Sequence, residues 1–375
     1  MKVLYVLHST NPDGSTQSFL TMAKGIVELG VSIMIVGPTP REEFLRKIEG
    51  LGIEYKDIHI AENTYPSINQ TSKVVYYLKI LNLLRRRLRF YGELYAVVKQ
   101  YKPDIIHTNC GTINEGFRVS RKLNIPHVWH IREHQGKNTI WRPFPNQKSF
   151  ERKLQLSNVI TITHELMRYY NLVPKLTRRV IYNGILPHTS KIYLWPKDKY
   201  FLVSSRISEE KGIDDVIESF ANFSRVRNDY KLIILGDGDE SYVQLLKNRV
   251  KALGCESYVE WKGYVTDVLP YMQKATCLIV ASKYEGFGRM TAEALINGCA
   301  VIGRNNSGTK EILEYTGGFL FNTNNEMLDC MHTVASLLET DYLKLMESAQ
   351  MKAVDAYCIE NHINQVFKFY QDILA

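Results

Sequence analysis

"CLIVASKYEGFGRMTAEALINGCAVIG", residues 277–303, is the stretch that decides the fold. Its opening apolar run, "CLIVAS" (277–282), has the length of a strand. A glycine-broken loop follows, then an amphipathic stretch, then a second apolar run, "AVIGRN" (300–305). Strand, loop, helix, strand is the repeating unit of a parallel sheet covered by helices. Gly286 and Gly288 fall where the helix begins. Backbone N–H groups at a helix start are unpaired and carry partial positive charge, so such a turn is a phosphate cradle in outline. Glu285 and Glu293 flank it. Along one continuous helix, eight residues would set them about 80° apart. With Glu285 in the loop and Glu293 on the new helix, both face one ligand. An ionised carboxylate accepts at two oxygens, which suits a diol. The plainer alternative is a solvated loop charge and an exposed helix residue.

The same rhythm runs along the whole chain. "KVLYVL" (2–7) precedes the amphipathic "QSFLTMAKGIVELG" (17–30), which stops on Gly30. "VSIMIVG", "DIIHTN", "PHVWHI", "NVITIT" and "RRVIYNG" follow. It restarts after residue 199 with "YFLVSSR", "KLIILGDG", "YVEWKGYV", "CLIVAS", "AVIGRN" and "GFLFN". Between the two series lies "ILPHTSKIYLWPKDK" (185–199), polar and with two prolines, which reads as a linker. The expected architecture is α/β: two doubly wound domains facing across a cleft, residues 1–185 and 199–350. Residues 351–375 form a terminal helical segment that crosses back to the first domain. Ligands of such sheets sit beyond the carboxyl ends of the strands, so loops after strands are where chemistry is sought.

Composition narrows the class. The chain has 375 residues, 45% of them apolar, enough for two packed cores. "MKVLYVLHST" reads as a first strand and not as a signal peptide. No apolar run approaches the roughly 20 residues of a membrane helix. The six cysteines are scattered without a C-x-x-C pair, which argues against disulfides and structural zinc and for a reducing cytoplasm. The net charge of +8 directs attention to anionic partners: nucleic acid, lipid or phosphorylated substrates.

"EGFGRMTAEALINGCAVIGRNNSGTKEIL" (285–313) closely resembles the E-x7-E signature of retaining glycosyltransferases of family four, which have the GT-B fold. Other segments agree in order. "SSRISEEKGID" (204–214) resembles that family's arginine and lysine pair, "KLIILGDGDE" the next strand and glycine turn, "WKGYVTD" the nucleobase loop, and "IYNGI" the end of the first domain. "KPDIIHTN" and "HVWHIREH" match first-domain strand ends. One departure is the first loop, "NPDGSTQ", where Gly14 stands alone in place of two adjacent glycines. Arg289, after Gly288, is a variant compatible with the pattern.

The resemblance implies a donor that is a nucleotide diphosphate sugar of UDP or GDP type, with no further cofactor and no metal. Glu293 would bind the ribose hydroxyls and Glu285 the sugar ring. Backbone N–H groups of Gly286, Phe287, Gly288, Arg289 and Met290 would hold the diphosphate, helped by Gly14 and Gly236. Gly263, Tyr264 and Val265 would read the base. Arg206 and Lys211 would offset the charge on the departing diphosphate, a role that preorganised cations fill well. His130 would sit by the transferred sugar. His107 and Asn109, on a neighbouring strand end, read as structural. Asp237 and Asp239 form an Asp-x-Asp that in another glycosyltransferase fold holds a metal, but a lone tripeptide is weak support.

Between Lys73 and Lys102 there are eight basic residues and one acid, Glu93. Tyr77, Leu81, Leu84, Leu88, Tyr91 and Tyr95 recur at helical spacing, which predicts a packed face beside a solvated basic one. A second reading is attachment to an anionic membrane surface through Arg85, Arg86, Arg87 and Arg89. No nucleic-acid-binding module is present. The resulting expectation is a cytoplasmic enzyme, peripheral at the inner face of the membrane. It moves a sugar to a glycan or lipid-linked acceptor of a surface polysaccharide. An epimerase on the same fold and a noncatalytic nucleotide-sugar-binding protein are the alternatives.

Overall fold

The computed structural model describes residues 1–66, 72–136, 141–188 and 196–375. Residues 189–195 of the expected linker lie outside the described residues. The chain divides into two compact units, Met1–Gly184 with Ile359–Ala375, and Ile185–Cys358. The first unit is therefore made of two separate stretches of chain. The helix Glu339–Tyr357 belongs with the second unit, and the helix Ile359–Leu374 with the first.

In chain order the first unit's strands are β1 (Lys2–Val6), β2 (Ser32–Gly37), β3 (Glu54–Asp57), β4 (Thr64–Pro66), β5 (Ile105–Thr108), β6 (His127–Ile131), β7 (Trp141–Pro143), β8 (Asn158–Thr161) and β9 (Arg178–Val180). Seven form one parallel sheet in the order β3-β2-β1-β5-β6-β8-β9, while β4 and β7 pair as an antiparallel ribbon. The direction of winding reverses between β1 and β5, the usual place for a ligand crevice. Successive side chains of a strand point to opposite faces. Tyr5 accordingly packs with Phe19 of the helix Gly14–Glu28 and with Val366, Phe369 and Tyr370 of the last helix. Leu4 and Val6 pack on the other face with Phe90 and Leu94 of the helix Lys73–Tyr101. Each fully buried side chain of this size contributes about 1.5–3 kcal/mol. The last helix is also tied to the sheet by polar contacts. Tyr370 Oη lies 2.7 Å from Tyr5 Oη and 2.6 Å from His107 Nδ1, and Arg179 donates to Asp372 at 2.6 Å.

The second unit holds β10 (Asp198–Ser204), β11 (Lys231–Leu235), β12 (Val259–Gly263), β13 (Ala275–Val280), β14 (Ala300–Arg304) and β15 (Phe319–Phe321). They form one parallel sheet in the order β12-β11-β10-β13-β14-β15, with its winding reversal between β10 and β13. Cys277, Cys299, Cys255, Cys110 and Cys358 are free and buried, and Cys330 is free and half-buried.

The helix Lys73–Tyr101 departs from the expected packing. Its buried face is Leu83, Arg87, Phe90, Leu94 and Val98. Tyr77, Leu81, Leu84 and Leu88, expected to pack, are exposed, while Tyr91 and Tyr95 are half-buried. The repeat was real, but a second stripe, about 100° around the helix, carries the burial. The membrane assignment of Arg87 is corrected by the same geometry: its Nε donates to Glu115 Oε1 at 2.8 Å in the interior, with Arg118 3.3 Å from the same oxygen. Arg87 neutralises a buried carboxylate and faces no surface. Arg85 and Arg89 are exposed, and Arg86 donates to His59 Nε2 and to the Ile60 carbonyl, both at 3.3 Å.

Candidate active site

In the second unit, three loops converge at the carboxyl ends of β10, β11 and β13. Lys211 ends a short turn after β10, Glu209–Lys211, and Glu285 lies in the loop after β13. They meet: Lys211 Nζ donates to Glu285 Oε1 at 2.5 Å. The sequence placed both in the site, but not in contact. Both side chains stay about one-fifth exposed (23% and 21%). Arg206 is exposed and lies 3.9 Å from Glu210, too far for a strong hydrogen bond, so its guanidinium keeps its freedom.

The helix Arg289–Ile296 begins at Gly288, whose φ of 91° is left-handed and unfavourable for any residue with a Cβ. No side chain caps this helix, so its first N–H groups have no intrahelical or side-chain acceptor. The turn is pressed against the start of the helix Ser307–Thr316. Gly308 N donates to Glu285 O at 3.1 Å, and a Cβ on Gly308 would lie 2.1 Å from Phe287 O. Only glycine permits this approach. Phe287 is buried against Tyr357, which holds the turn from below.

Glu293 sits on the first turns of that helix, beside Arg289 at 3.9 Å. Burial raises its carboxyl above the ordinary value, and Arg289 offsets part of the rise. A carboxylate held in a partly desolvated place with little compensation is a candidate for ligand contact.

Gly236 N donates to Gly263 O at 2.7 Å, so the glycine turn after β11 and the expected base-reading loop are neighbours. Tyr264 is exposed. Asp239 caps the helix Glu240–Ala252, accepting from Ser241 N at 3.0 Å and Tyr242 N at 3.2 Å, so one carboxylate of the Asp-x-Asp is already engaged. Among the described residues, no group of three or more His, Cys, Asp or Glu is arranged to hold a metal ion.

In the first unit, Gly14 opens the helix Gly14–Glu28, but Asp13 Oδ1 accepts from Thr16 N at 2.9 Å. That bond is an N-cap and leaves the Gly14 N–H out of it. His130, at the end of β6, is fully buried beside His107, ring centroids 5.4 Å apart. Burial first, and the neighbouring Arg132 second, hold His130 and His107 well below the ordinary imidazole range, so both are neutral. Asn109 Oδ1 accepts from Arg132 at 3.0 Å and 3.2 Å. His107 and Asn109 thus serve the interior, as their sequence positions suggested.

Arg132 is the first-unit residue that sequence reasoning missed. The residue is only 8% exposed, yet its partners are neutral: Asn109, Asn183 Oδ1 at 2.7 Å, Ser18 Oγ at 3.4 Å and His130 Nδ1 at 3.4 Å. Desolvation lowers its pKa to about 10. A charged group inside "HVWHIREH", two residues after His130, was the available signal, since arginine is rarely buried without a purpose.

A family description, glycosyl transferases group 1, matches residues 188–353, and another, Glycosyltransferase Family 4, matches residues 12–188. The α-monoglucosyldiacylglycerol synthase of Streptococcus pneumoniae is 28% identical over 250 residues, covering 58% of this chain and 55% of that protein. A Campylobacter jejuni enzyme, the N-acetylgalactosamine-N,N'-diacetylbacillosaminyl-diphospho-undecaprenol 4-α-N-acetylgalactosaminyltransferase, is 29% identical over 190 residues, 48% of this chain and 49% of its own. The chain spans about half the length of these curated relatives. The crystal structure of Anabaena HepE in complex with UDP shares the fold, with 20% identity, 99% of this chain, 100% of that chain and a TM-score of 0.77. Two Rossmann-like parallel sheets covered by helices, as in GT-B structures, are thus present, and the two family matches leave only residues 1–11 and 354–375 outside. Between them, the two glycosyltransferase family descriptions match residues 12–353, each over just under half of the chain.

Proposed function

We propose that this protein is a retaining glycosyltransferase that takes a sugar from a nucleotide diphosphate donor, without a metal, and passes it to a glycan or lipid-linked acceptor of a surface polysaccharide or glycolipid. The observation that carries the reading is the Lys211–Glu285 pair set beside the uncapped N-terminus of the helix Arg289–Ile296, with Glu293 on that helix. The helix N–H groups take the diphosphate. Lys211 and Arg206 supply positive charge where the departing diphosphate gains negative charge, the role a metal fills elsewhere. Glu293 accepts from the ribose hydroxyls. Glu285, fixed by Lys211, presents its second oxygen to a hydroxyl of the sugar ring. Gly263 to Val265 contact the base. His130 keeps the assignment that the resemblance gives it, as a neutral hydrogen-bonding group.

The relatives support this reading: one makes a glucosyldiacylglycerol, another acts on a diphospho-undecaprenol, and the Anabaena neighbour holds UDP. A bilayer contact also belongs to it. On the helix Lys73–Tyr101, Val74 (70%), Leu78 (60%), Leu81 (55%) and Leu88 (65%) are exposed along one outward face. Such a ridge on one helix is unusual for a surface left in water. No acid occurs from residue 73 to 92, and Lys73 and Arg85 flank the ridge, while Arg89 donates to Glu93 Oε1 at 2.7 Å. Packed against its own copy, this helix would oppose like charges. An anionic bilayer complements both the apolar ridge and the cations. Among the described residues no helix is long and apolar enough to cross a membrane.

The test is calorimetry with a panel of UDP- and GDP-sugars, followed by transfer assays in which the anomeric configuration of the product is read by NMR. Retention, dependence on acceptor and turnover in EDTA are expected. An inverted product, activity restored only by Mg²⁺ or Mn²⁺, or an isomerised sugar formed without acceptor would overturn the respective parts. The last outcome would identify an epimerase, and donor binding without any product a noncatalytic protein.

A further inference from the structure

Arg289 is the variant residue of the glycine turn, and the donor reading uses only its backbone N–H. It is the first residue of the helix Arg289–Ile296, where unpaired N–H groups already carry partial positive charge. The helix dipole disfavours a cation there, and no acid stands in the first turn to offset it. A residue that breaks a local rule at a candidate site calls for a compensating role.

Its ion-pair partner is Glu293, four residues and about one helical turn further on. Arg289 Nε lies 3.9 Å from Glu293 Oε2, and the carboxylate is the more enclosed of the two, 18% exposed against 35%. Among the described residues, the hydrogen bonds that Glu293 accepts go to its backbone carbonyl, from Asn297 N at 3.1 Å and Asn297 Nδ2 at 2.8 Å. The carboxylate is therefore held by charge alone. At 3.9 Å the guanidinium attracts it without a hydrogen bond, so both oxygens keep their lone pairs for a ligand. The Lys211–Glu285 pair differs in this respect, because there a hydrogen bond takes up one carboxylate oxygen. Burial and the guanidinium pull the Glu293 carboxyl in opposite directions, burial the more strongly. Glu293 also lies toward the carboxyl end of the helix from Arg289. A guanidinium that faces it is turned away from the first N–H groups, where a diphosphate would sit.

Resting on the donor reading above, we propose that Arg289 is a positioning residue for Glu293: its guanidinium holds the carboxylate for the ribose diol without occupying its oxygens, and so gives the site a preference for ribonucleotides over 2′-deoxyribonucleotides. The placement that disfavours Arg289 in the helix alone is the one that brings it within reach of Glu293.

The experiment uses the whole protein and four probes, UDP, GDP and their 2′-deoxy forms, in calorimetric titrations across a range of pH. The wild type should bind the better ribonucleotide about tenfold more tightly than its deoxy form, the worth of one charge-assisted hydrogen bond. In Arg289→Met that ratio should fall to about threefold or less. Its affinity should also be lost on acidification from a higher pH than in the wild type, because burial then acts on Glu293 unopposed. Arg289→Lys keeps the charge and should restore most of the ratio. Carbon NMR of labelled glutamate carboxyls needs no nucleotide. With the Glu293 signal assigned by its absence in Glu293→Gln, it should show Glu293 titrating at higher pH in Arg289→Met. Thermal unfolding shows that each variant is folded. Equal binding of ribo and deoxy forms by the wild type would overturn the assignment, as would a lysine that restores nothing. A ratio that survives Arg289→Met while both forms weaken would place the guanidinium on the diphosphate and overturn it too. An unchanged Glu293 titration would do the same. If the wild type binds neither UDP nor GDP, the donor reading falls and the ribose preference with it, while the carbon titration still decides whether Arg289 holds Glu293.

Discussion

Lys211 Nζ and Glu285 Oε1 lie 2.5 Å apart although 74 residues separate them, and the contact ties the loop after β10 to the loop after β13. It spans the point where the winding of the second sheet reverses. One residue is assigned to the leaving diphosphate and the other to the sugar, so the pair couples recognition of the sugar to stabilisation of its departure.

Lys211→Ala and Glu285→Gln should each lower kcat by on the order of 10²–10³-fold, the usual loss when one preorganised electrostatic contact to a developing charge is removed. The double variant should be little worse than the poorer single, because residues acting as one unit are strongly non-additive. Steady-state kinetics on the three variants checks this. Losses that multiply would show two independent roles.

Glu293→Gln should weaken donor binding by roughly 1.5–3 kcal/mol, or about ten- to hundredfold, through the loss of charge-assisted bonds. Because burial raises the Glu293 carboxyl, donor affinity in the wild type should fall with acidification from a higher pH than an ordinary glutamate gives. The stability sign is opposite. A carboxyl whose pKa is raised by folding stabilises below its unfolded value, and that contribution is lost as pH rises through the folded value. The Gln variant should lack this loss and melt no lower than wild type at neutral pH. Calorimetric titration and thermal unfolding at several pH values read both effects.

Arg87→Gln should destabilise the first unit by about 3 kcal/mol, the low end for breaking a buried pair, because Arg118 still reaches Glu115. Arg85→Gln, on the exposed side, should change stability by less than about 0.5 kcal/mol. Urea unfolding distinguishes them, and equal midpoints would contradict the buried pairing.

Replacing Leu78, Leu81 and Leu88 by Gln should lower binding to anionic vesicles by about thirtyfold or more, since a fully buried leucine contributes about 1.5–3 kcal/mol and three half-immersed ones about 2–4.5 kcal/mol together. Arg85→Gln alone should lower it about fivefold, from about 1 kcal/mol per basic residue near the surface. Flotation assays at low and high salt test this. A wild type that ignores anionic vesicles at low salt would refute the bilayer contact.

Much of the fold was legible because strand and helix periodicity and the glycine turns repeat along the chain. The E-x7-E stretch also placed Glu285 in a loop and Glu293 on a helix correctly, since loop-then-helix is a local property. The Lys211–Glu285 contact was not legible, because it depends on which strands are neighbours. The face of the helix Lys73–Tyr101 was misread for another reason. It has two stripes, one of Leu83, Phe90 and Leu94 with Arg87 among them, the other of Leu81 and Leu88, and periodicity alone cannot say which meets the sheet. Arg87 looked like a surface charge because its partner, Glu115, lies 28 residues away. Arg132 was passed over because its neighbours come from distant strand ends.

The first unit is closed by a helix encoded after the whole of the second. During synthesis, Tyr5 and His107 must wait for Tyr370 while residues 185–358 are made, on the order of ten to thirty seconds at roughly 5–20 residues per second. Until then the nascent sheet keeps an uncovered apolar face, a natural target for chaperones. It also follows that a ribosome stalled or released before residue 359 yields a product whose earlier half, although fully translated, lacks its own final piece of core.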